Sequence, residues 1–496
     1  MEKSLENGLS LTLSANTYTI LSFIVYILII LLIGIFSSRF SSKGLNEFFL
    51  GGRKMNKFVV ALSAVASGRS SWLLIGLTGM AFTYGIGAFW AFIGYTIAEF
   101  FMFLYAAPKL RRQTEANNNL TIPDYFESRF NDKSMLLRWL SVIIIIVFMT
   151  AYISAQFVGG GKAFSTSFNV TPSLGILITA GIVLLYTLLG GFLAVSLTDV
   201  IQAIFMLFAL IILPIIIITD MGGFSALFTK LSYDPRLLDP FAIGTGVILG
   251  FAGIGLGSPG NPHILVRYMS IDDPKKLKFS AYVGTFWNLI MGFSAMSIGL
   301  IGKAYFANAN QLPGGDPENL FPYLAQLHLH PILFGVVIAS ILAAIMSTAD
   351  SMLLVCASAI IRDFYQKIIN PEKHLSDKQL VLMSRIIIVA VVLMALIIGF
   401  VGNDIVFWLV LFAWGGLGAA FGPPILLALF WRKTNRNGAA AGMISGVLTV
   451  IIWNQTPFLK SMIYELIPAF FVSLALTFVV SLLTQQKRYE ILKKVE

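Results

Sequence analysis

The sequence has few charged residues, one cysteine and four histidines, and each shortage excludes a class of protein. Only 12% of the 496 residues are charged and 57% are hydrophobic, with a mean hydropathy of +0.83. A soluble domain of this length has no means of burying so much apolar surface, so we predict an all-α membrane protein with many spans. The single cysteine, Cys356, excludes a disulfide framework, and the histidines lack the spacing of metal ligands.

Basic residues outnumber acidic ones by ten, but their distribution does not indicate a nucleic-acid partner. Of the 34 Lys and Arg residues, 27 fall in clusters near every second loop, at 37–57, 108–138, 263–278, 362–385, 432–436 and 487–494. This is the positive-inside pattern of membrane proteins. It predicts an outside N-terminus, a cytoplasmic C-terminus and a multi-pass protein of the plasma (inner) membrane. The first span lacks a preceding basic region, so we expect it to be retained.

Thirteen apolar runs are long enough to cross about 30 Å of hydrocarbon. They lie near 18–36, 58–80, 85–107, 137–163, 173–190, 194–219, 243–262, 281–306, 331–361, 381–401, 405–431, 438–456 and 464–485. We therefore predict about 13 transmembrane helices. We divide the chain into an extra N-terminal helix with a linker (1–57), a first five-helix repeat (58–220), a second (243–431), and two C-terminal helices with a short tail (432–496).

Two of these runs are interrupted by small and imino residues. The stretch 62–72 contains Ser-Gly-Arg-Ser-Ser, and 253–262 contains four glycines and two prolines. An interrupted helix at bilayer depth leaves backbone groups unpaired, which is tolerated only where they line a cavity or bind something. Interrupted spans in matching positions of two halves are typical of transporters with a site at the membrane midplane. The sequence therefore favours a transporter over a channel or an intramembrane enzyme.

Six motifs resemble the sodium/solute symporter family, and most closely its sodium/proline symporter branch. They are LGGR at 50–53, NNNLTIPDYF at 117–126, GGFLAVSLTD at 190–199, PHIL at 262–265, ILAAIMST at 341–348 and AWGGLGAAFGP at 413–423. The motifs run in order over nearly the whole chain. The resemblance implies a LeuT-like 5+5 inverted repeat and alternating access driven by a Na⁺ gradient. Na⁺ is then the co-transported ion, and no organic cofactor is implied.

The same resemblance implies sites for cations. One sodium site would use the carbonyl oxygens of Ala66, Arg69 and Ala344 and the hydroxyls of Ser347 and Thr348. The alternative is that these hydroxyls only bond carbonyls of their own helix. A second cation site, found in some members, would use Asp199, Ser347, Asp350 and Ser351. For Asp350 the alternative is a structural ion pair.

The first interrupted run departs from the proline branch at two positions. Gly68 stands where the branch has an aspartate, and Arg69 where it has an apolar residue. A buried guanidinium needs an anion, and the candidates are a carboxylate of the solute, Asp350 or Asp199. We predict an Arg69–Asp350 ion pair, with direct solute contact as the alternative. Such a pair would also fit a proton-coupled or sodium-independent transporter of the same fold.

The solute site departs from the proline branch as well. Ile254 and Ser258 stand where the branch has Trp and Tyr, and Gln156 replaces a glycine, while Tyr152 and Pro262 are retained. We expect a roomier, more polar cavity, although Gln156 as an interhelical hydrogen-bonding residue is an equal alternative. The predicted solute-binding residues are Ser67, Gly68, Arg69, Ser70, Ser71, Tyr152, Gln156, Ile254, Ser258 and Pro262.

These features together predict a sodium-coupled symporter of a small polar organic solute. An amino acid such as proline, a small carboxylate and a sugar acid are all candidates. The expected partners are this solute and the lipid bilayer, and we expect the monomer to be functional. A membrane-embedded solute sensor is the alternative from another class of protein.

Overall fold

The computed structural model describes residues 16–41, 44–370, 372, 375–401 and 405–485, and most of them are helical. The helices are α1 (Thr17–Ser41), α2 (Leu45–Leu50), α3 (Lys57–Ser71), α4 (Thr78–Tyr84), α5 (Phe89–Phe101), α6 (Ala107–Ala116), α7 (Ile122–Phe130), α8 (Leu136–Phe168), α9 (Pro172–Asp220), α10 (Phe224–Leu231), α11 (Thr245–Ala252), α12 (Pro262–Ser270), α13 (Leu277–Tyr305), α14 (Leu320–His328), α15 (Pro331–Ser358), α16 (Asp377–Val401), α17 (Val406–Phe430), α18 (Arg436–Gln455), α19 (Pro457–Met462) and α20 (Leu466–Leu483).

Wider and tighter helical turns connect several of these helices. The π-helical segments are Trp72–Leu77, Met102–Ala106 and Ala359–Ile369. The 3₁₀ segments are Gly51–Arg53, Gly85–Ala88, Pro235–Leu238, Gly253–Gly260, Pro274–Lys276, Ala309–Gln311, Pro313–Gly315 and Pro317–Asn319. Within the described residues the one extended pairing is a parallel bridge between Met55 and Ile271, which joins the start of α3 to the end of α12.

The described helices fit a protein that crosses the membrane many times. Ten helical stretches are long and apolar enough to span a bilayer, and Pro172–Leu188 and Thr245–Gly260 are shorter apolar ones. One of the ten, Lys57–Ala116, has 60 residues and is divided at Gly85, where φ is +60°. A side chain at Gly85 would overlap the backbone of Leu237. The predicted all-α membrane class is confirmed, whereas the span count and the repeat boundaries stay predictions.

Both predicted interruptions are present and buried. In α3 the helical path breaks at Ser70 (φ +49°, ψ −169°), and the chain continues as the π-helix Trp72–Leu77. After α11 the chain winds into the 3₁₀ segment Gly253–Gly260 and becomes extended at Asn261 (φ −96°, ψ +103°) before α12. Because α3 is buried from Val60 to Ser71, its freed backbone groups face protein and not lipid.

Candidate functional site

Helix α15 brings two hydroxyl groups against backbone carbonyl oxygens of α3. Ser347 Oγ lies 3.1 Å from the carbonyl oxygen of Ala66 and 3.1 Å from that of Ala344. Thr348 Oγ1 lies 3.0 Å from the carbonyl oxygen of Ser67. All of these residues are buried. The structure thus gathers hard oxygen atoms from two helices, the kind of ligand that hard cations prefer.

This cluster agrees with most of the predicted sodium ligands. Ala66, Ala344, Ser347 and Thr348 meet, and the carbonyl of Ser67 joins them. The carbonyl oxygen of Arg69 accepts the N–H of Trp72, and its place among the sodium ligands stays a prediction. Ser347 does bond a carbonyl of its own helix, yet both hydroxyls also reach α3, which a purely intrahelical role does not explain. Sodium binding at this cluster stays a prediction.

The predicted second cation site contains a guanidinium from α12. Asp199 Oδ2 accepts a hydrogen bond from Ser63 Oγ at 2.6 Å and lies 3.1 Å from Nη2 of Arg267. The same Nη2 donates to Ser351 Oγ. Asp350 instead accepts from Ser351 Oγ at 2.9 Å and from the hydroxyl of a tyrosine on α9. Arg267 is therefore the counter-ion of Asp199.

Sequence analysis missed this role of Arg267. Its position groups it with the basic loop cluster 263–278, but α12 places it in the protein core, 1% exposed. A signal was available, because Arg267 lies on the helix that directly follows the second interruption, five residues past the predicted span, where a buried cation requires an anion. Tyr186, the α9 tyrosine whose hydroxyl bonds Asp350, carried no comparable signal.

Arg69 does not pair with Asp350 in this structure. Its Nε donates to Oδ1 of Asn288 at 2.8 Å, its guanidinium lies 3.8 Å from the ring centre of Tyr95, and Nη2 is 3.7 Å from Oε2 of Glu99. The predicted Arg69–Asp350 ion pair is wrong, because the Arg69 side chain extends toward α5 and α13 while Asp350 faces α9.

Four predicted solute-binding residues meet at the break in α3. The backbone N–H of Ser71 donates to Oε1 of Gln156 at 3.0 Å. The hydroxyl of Tyr152 donates to Ser70 Oγ at 3.4 Å, and the same oxygen accepts the N–H of Trp72 at 3.1 Å. Helix α8 therefore supplies two side chains that bond the break. Gln156 thus forms a hydrogen bond between α8 and α3, as the alternative to a role in solute binding predicted.

The remaining predicted solute residues lie around this contact in different ways. The carbonyl of Ile254 accepts the indole N–H of Trp414 at 2.8 Å, and Ser258 and Pro262 are buried on the second interrupted segment. Ser67 turns away from Gln156 and donates to Asp199 Oδ2 at 3.3 Å. Gly68 lies directly against the hydroxyl of a tyrosine on α5, so a side chain there would overlap it.

Several buried polar atoms near the break have no hydrogen-bond partner within the described chain. They include Nη1 and Nη2 of Arg69, Ser71 Oγ, Trp72 Nε1, Gln156 Nε2 and Ser258 Oγ. A buried polar group left unsatisfied costs about 1–3 kcal/mol, so native structures keep few of them. Ser71 and Trp72 lie at the first interruption with Gln156 of α8 beside them, and Ser258 lies on the second, so a polar solute bound here would supply missing partners.

Two cavities between the helices differ greatly in volume. A cavity of about 520 Å³ lies between α11, the start of α17 and α19, within the size range of small-molecule sites. Aromatic residues line it together with Lys460 and Glu465. The gap between α7, α12 and α15 holds only about 20 Å³, and Arg267 and Asp363 line it. The larger cavity therefore lies on the side of α19, and its lining contains none of the predicted solute-binding residues.

A network of charges helps to close the α7 side. Arg138 of α8 pairs with Asp124 at 2.7 Å, with Glu127 at 2.5 Å, and with Asp363 beyond the end of α15. Burial by itself raises the pKa of Asp124, but Arg138 and Arg362 outweigh it and hold that pKa below its usual range. Asp124 therefore stays ionised and keeps α7 attached to α8.

The sequence matches one family over most of its length. A family model described as the sodium:solute symporter family matches residues 48–446. The osmoregulated proline transporter OpuE of Bacillus subtilis (strain 168) is 40% identical over 94% of this chain and 95% of its own. The high-affinity proline transporter PutP of the same organism is 42% identical over 92% and 96%. A sodium/proline symporter of Staphylococcus aureus (strain JH9) is 38% identical over 97% and 95%.

Solved structures agree on the fold. A Na⁺-coupled sialic acid symporter in its substrate-bound outward-open state superposes with a TM-score of 0.81 at 18% identity, covering 95% of this chain and 98% of that one. MhsT in complex with L-phenylalanine gives a TM-score of 0.53 at 16% identity, covering 86% and 98%. Identities this low show the fold alone, and they confirm the predicted LeuT-like architecture.

Proposed function

The chain belongs to the sodium:solute symporter family, and from this premise we propose that it uses Na⁺ entry to import a small amino acid of the proline type. It is a sodium-coupled secondary transporter and not an enzyme. Proline is the first candidate solute, because three relatives that cover almost the whole chain carry proline-transporter names.

The contact between α15 and α3 is the observation that carries this proposal. Ser347 and Thr348 meet the carbonyls of Ala66 and Ser67, and the polar cluster at Ser71 begins four residues further along the same strained backbone. An ion bound at the carbonyls would therefore fix the backbone that holds the solute. One Na⁺ moving down 100 mV contributes about 2.3 kcal/mol, enough for about fifty-fold accumulation.

A larger or more polar solute is the second candidate, and the composition of the site supports it. Ile254 and Ser258 stand where the proline branch has Trp and Tyr, so the second interrupted segment itself presents no aromatic ring, and the indole of Trp414 is the ring beside it. Gln156 Nε2 and Ser258 Oγ are buried and unpartnered among the described residues, so a solute with extra polar groups gains hydrogen bonds here. A polar amino acid, a small carboxylate or a sugar acid meets this description.

Uptake by the purified protein in proteoliposomes tests the proposal. We expect solute entry to be at least about tenfold faster with external Na⁺ than with choline, the effect of about 1.4 kcal/mol of coupling. A thermal-shift screen of amino acids, carboxylates and sugar acids, with and without Na⁺, selects the solutes. A polar solute that competes better than proline establishes the second candidate. Uptake that is equal in choline, or a stabilising ligand that is never transported, refutes symport.

We also propose an arrangement in the plasma membrane. The basic clusters support an outside N-terminus and a cytoplasmic C-terminus, with the 520 Å³ cavity opening to the outside. We propose that the monomer is the functional unit and that the repeats occupy 58–220 and 243–431. Protease cleavage of a C-terminal tag in inside-out but not in right-side-out vesicles is the expected result, and the reverse pattern contradicts this orientation.

A further inference from the structure

A buried charge pair beside the break in α3 takes no part in the ion and solute contacts described above. Arg69 is 1% exposed and Glu99 is 2% exposed, and Nη2 of Arg69 lies 3.7 Å from Oε2 of Glu99. Asn288 joins the two, because its Oδ1 accepts from Arg69 Nε at 2.8 Å and its Nδ2 donates to Glu99. The pair therefore links α3 to α5 and α13.

Tyr95 fixes the direction of the Arg69 side chain. The guanidinium lies 3.8 Å from the ring centre of Tyr95, whose hydroxyl is 3.4 Å from Glu99 Oε1 and lies against Gly68. A cation over an aromatic face is attracted to it, more strongly where water is excluded. The ring of Tyr95 also lies 6.5 Å from that of Trp72, centre to centre. The guanidinium is thus held on the α5 side of the broken segment.

Glu99 is the counter-ion that makes a buried Arg69 tolerable. A charged group at membrane depth is expensive unless it is paired, and removing one member of a buried pair costs about 3–5 kcal/mol. Among the described residues Glu99 is the carboxylate within 4 Å of Arg69. Removing both charges leaves no unpaired ion, so the two residues are expected to depend on each other.

The position of the pair connects it to transport. Arg69 directly precedes Ser70, whose φ of +49° is strained for a residue with a side chain. It also closely follows Ala66 and Ser67, whose carbonyl oxygens contact the hydroxyls of α15. A strained conformation persists only where its surroundings impose it. The Arg69 side chain is anchored on two neighbouring helices, so it supplies such a constraint at the break.

We propose that Glu99 is a positioning residue for Na⁺ binding. It holds Arg69 against α5 and α13, and through Arg69 it fixes the break at Ser70 and the carbonyl oxygens that face α15. The inference rests on the proposed sodium-coupled symport and extends it to a residue outside the ion and solute sites. It also assigns Arg69 to Glu99 rather than to a carboxylate of the solute.

A double-mutant cycle on Arg69 and Glu99 tests this role. The measured quantity is the Na⁺ concentration that gives half-maximal uptake in proteoliposomes. Glu99→Gln and Arg69→Met each leave one unpaired ion, and we expect each to raise this concentration about tenfold or more. We expect Glu99→Asp to stay within about threefold of the wild type, and the double variant Arg69→Met/Glu99→Gln to recover at least about threefold over either single change. Thr96→Val is the matched control, since Thr96 is buried on the same helix and bonds only Phe92 of that helix.

The outcomes separate this inference from the proposed function. Unchanged Na⁺ dependence in Glu99→Gln, or a double variant no better than the worse single variant, overturns the positioning role while the wild type still shows Na⁺-driven uptake. Wild-type uptake that ignores Na⁺ refutes the proposed function and this inference with it. If Glu99→Gln does not accumulate in the membrane, melting temperature replaces uptake as the measurement. We then expect Na⁺ to raise the melting temperature of the double variant more than that of Arg69→Met, and an equal rise overturns the positioning role.

Discussion

At the scale of single residues, contacts of residues that belong to a family motif could be predicted, but the partner of a residue that departs from the motif could not. Ser347 and Thr348 were assigned from the ILAAIMST motif, and the structure places both against α3. The partner of Arg69 was assigned wrongly, because the choice among several carboxylates depends on the direction in which α3 faces. Glu99 lies 30 residues along the chain on a different helix, and no spacing rule connects the two.

The hydroxyls of α15 are expected to control Na⁺ affinity. We predict that Ser347→Ala or Thr348→Val raises the Na⁺ concentration for half-maximal uptake about tenfold, the effect of about 1.4 kcal/mol. Ser340→Ala is the control, since Ser340 is equally buried on α15 and bonds only Val337 of its own helix. Equal Na⁺ dependence in all three variants contradicts the assignment of Ser347 and Thr348 as sodium ligands.

Gln156 is expected to affect the solute more than the ion. Its Oε1 accepts the N–H of Ser71 at the break, and Gln156→Ala leaves that buried donor unsatisfied at about 1–3 kcal/mol. We predict that the KM for solute rises about tenfold while the Na⁺ dependence changes much less. Kinetics at saturating Na⁺ measure this difference. An unchanged KM assigns Gln156 to packing between helices alone.

At the scale of helices, the glycine, serine and proline residues predicted the two interruptions, but they did not predict the positive φ of Ser70. The interruption at Gly253–Gly260 agrees with its composition, since glycines weaken an α-helix and Pro259 lacks the backbone N–H that would continue its hydrogen bonds. Ser70 carries a side chain, so nothing in its residue type predicted a positive φ. That angle arises from tertiary contacts, which local sequence patterns do not contain.

Gly191 provides a test of backbone strain within α9. There φ is +62° and ψ is −170°, a conformation open mainly to glycine, and the helix changes direction. We predict that Gly191→Ala destabilises the protein by about 1–3 kcal/mol and lowers its melting temperature in detergent. Gly181→Ala is the control on the same helix, since a Cβ there meets no atom within 4 Å. Equal melting temperatures for the two variants contradict this account.

At the scale of the whole molecule, buried polar contacts join the helices on the α7 side, and the larger cavity lies on the α19 side. Arg267 joins α12 to α9 and α15, Ser63 joins α3 to α9, and Arg138 joins α8 to α7 and the end of α15. The overall architecture could be predicted from span lengths, interruptions and motifs. The state of the molecule could not, because it depends on which of these long-range pairs are formed.

Breaking the Arg267–Asp199 pair is expected to open the closed end. In a Cys356→Ala background, Val355→Cys places a thiol in the lining of the small gap between α7, α12 and α15. We predict that adding Arg267→Gln raises the rate of thiol alkylation at residue 355 about threefold or more. Arg236→Gln, which removes an exposed ion pair with Asp234, is the control. An unchanged alkylation rate excludes the pair from closing this end.

The most direct test of the central claim is to measure Na⁺ and solute fluxes in the same proteoliposomes. We predict that adding solute drives entry of ²²Na⁺ in a constant ratio to solute, and that a double variant Ser347→Ala/Thr348→Val loses both fluxes together. Solute accumulation that continues in choline, or ²²Na⁺ entry that solute does not alter, would contradict the account.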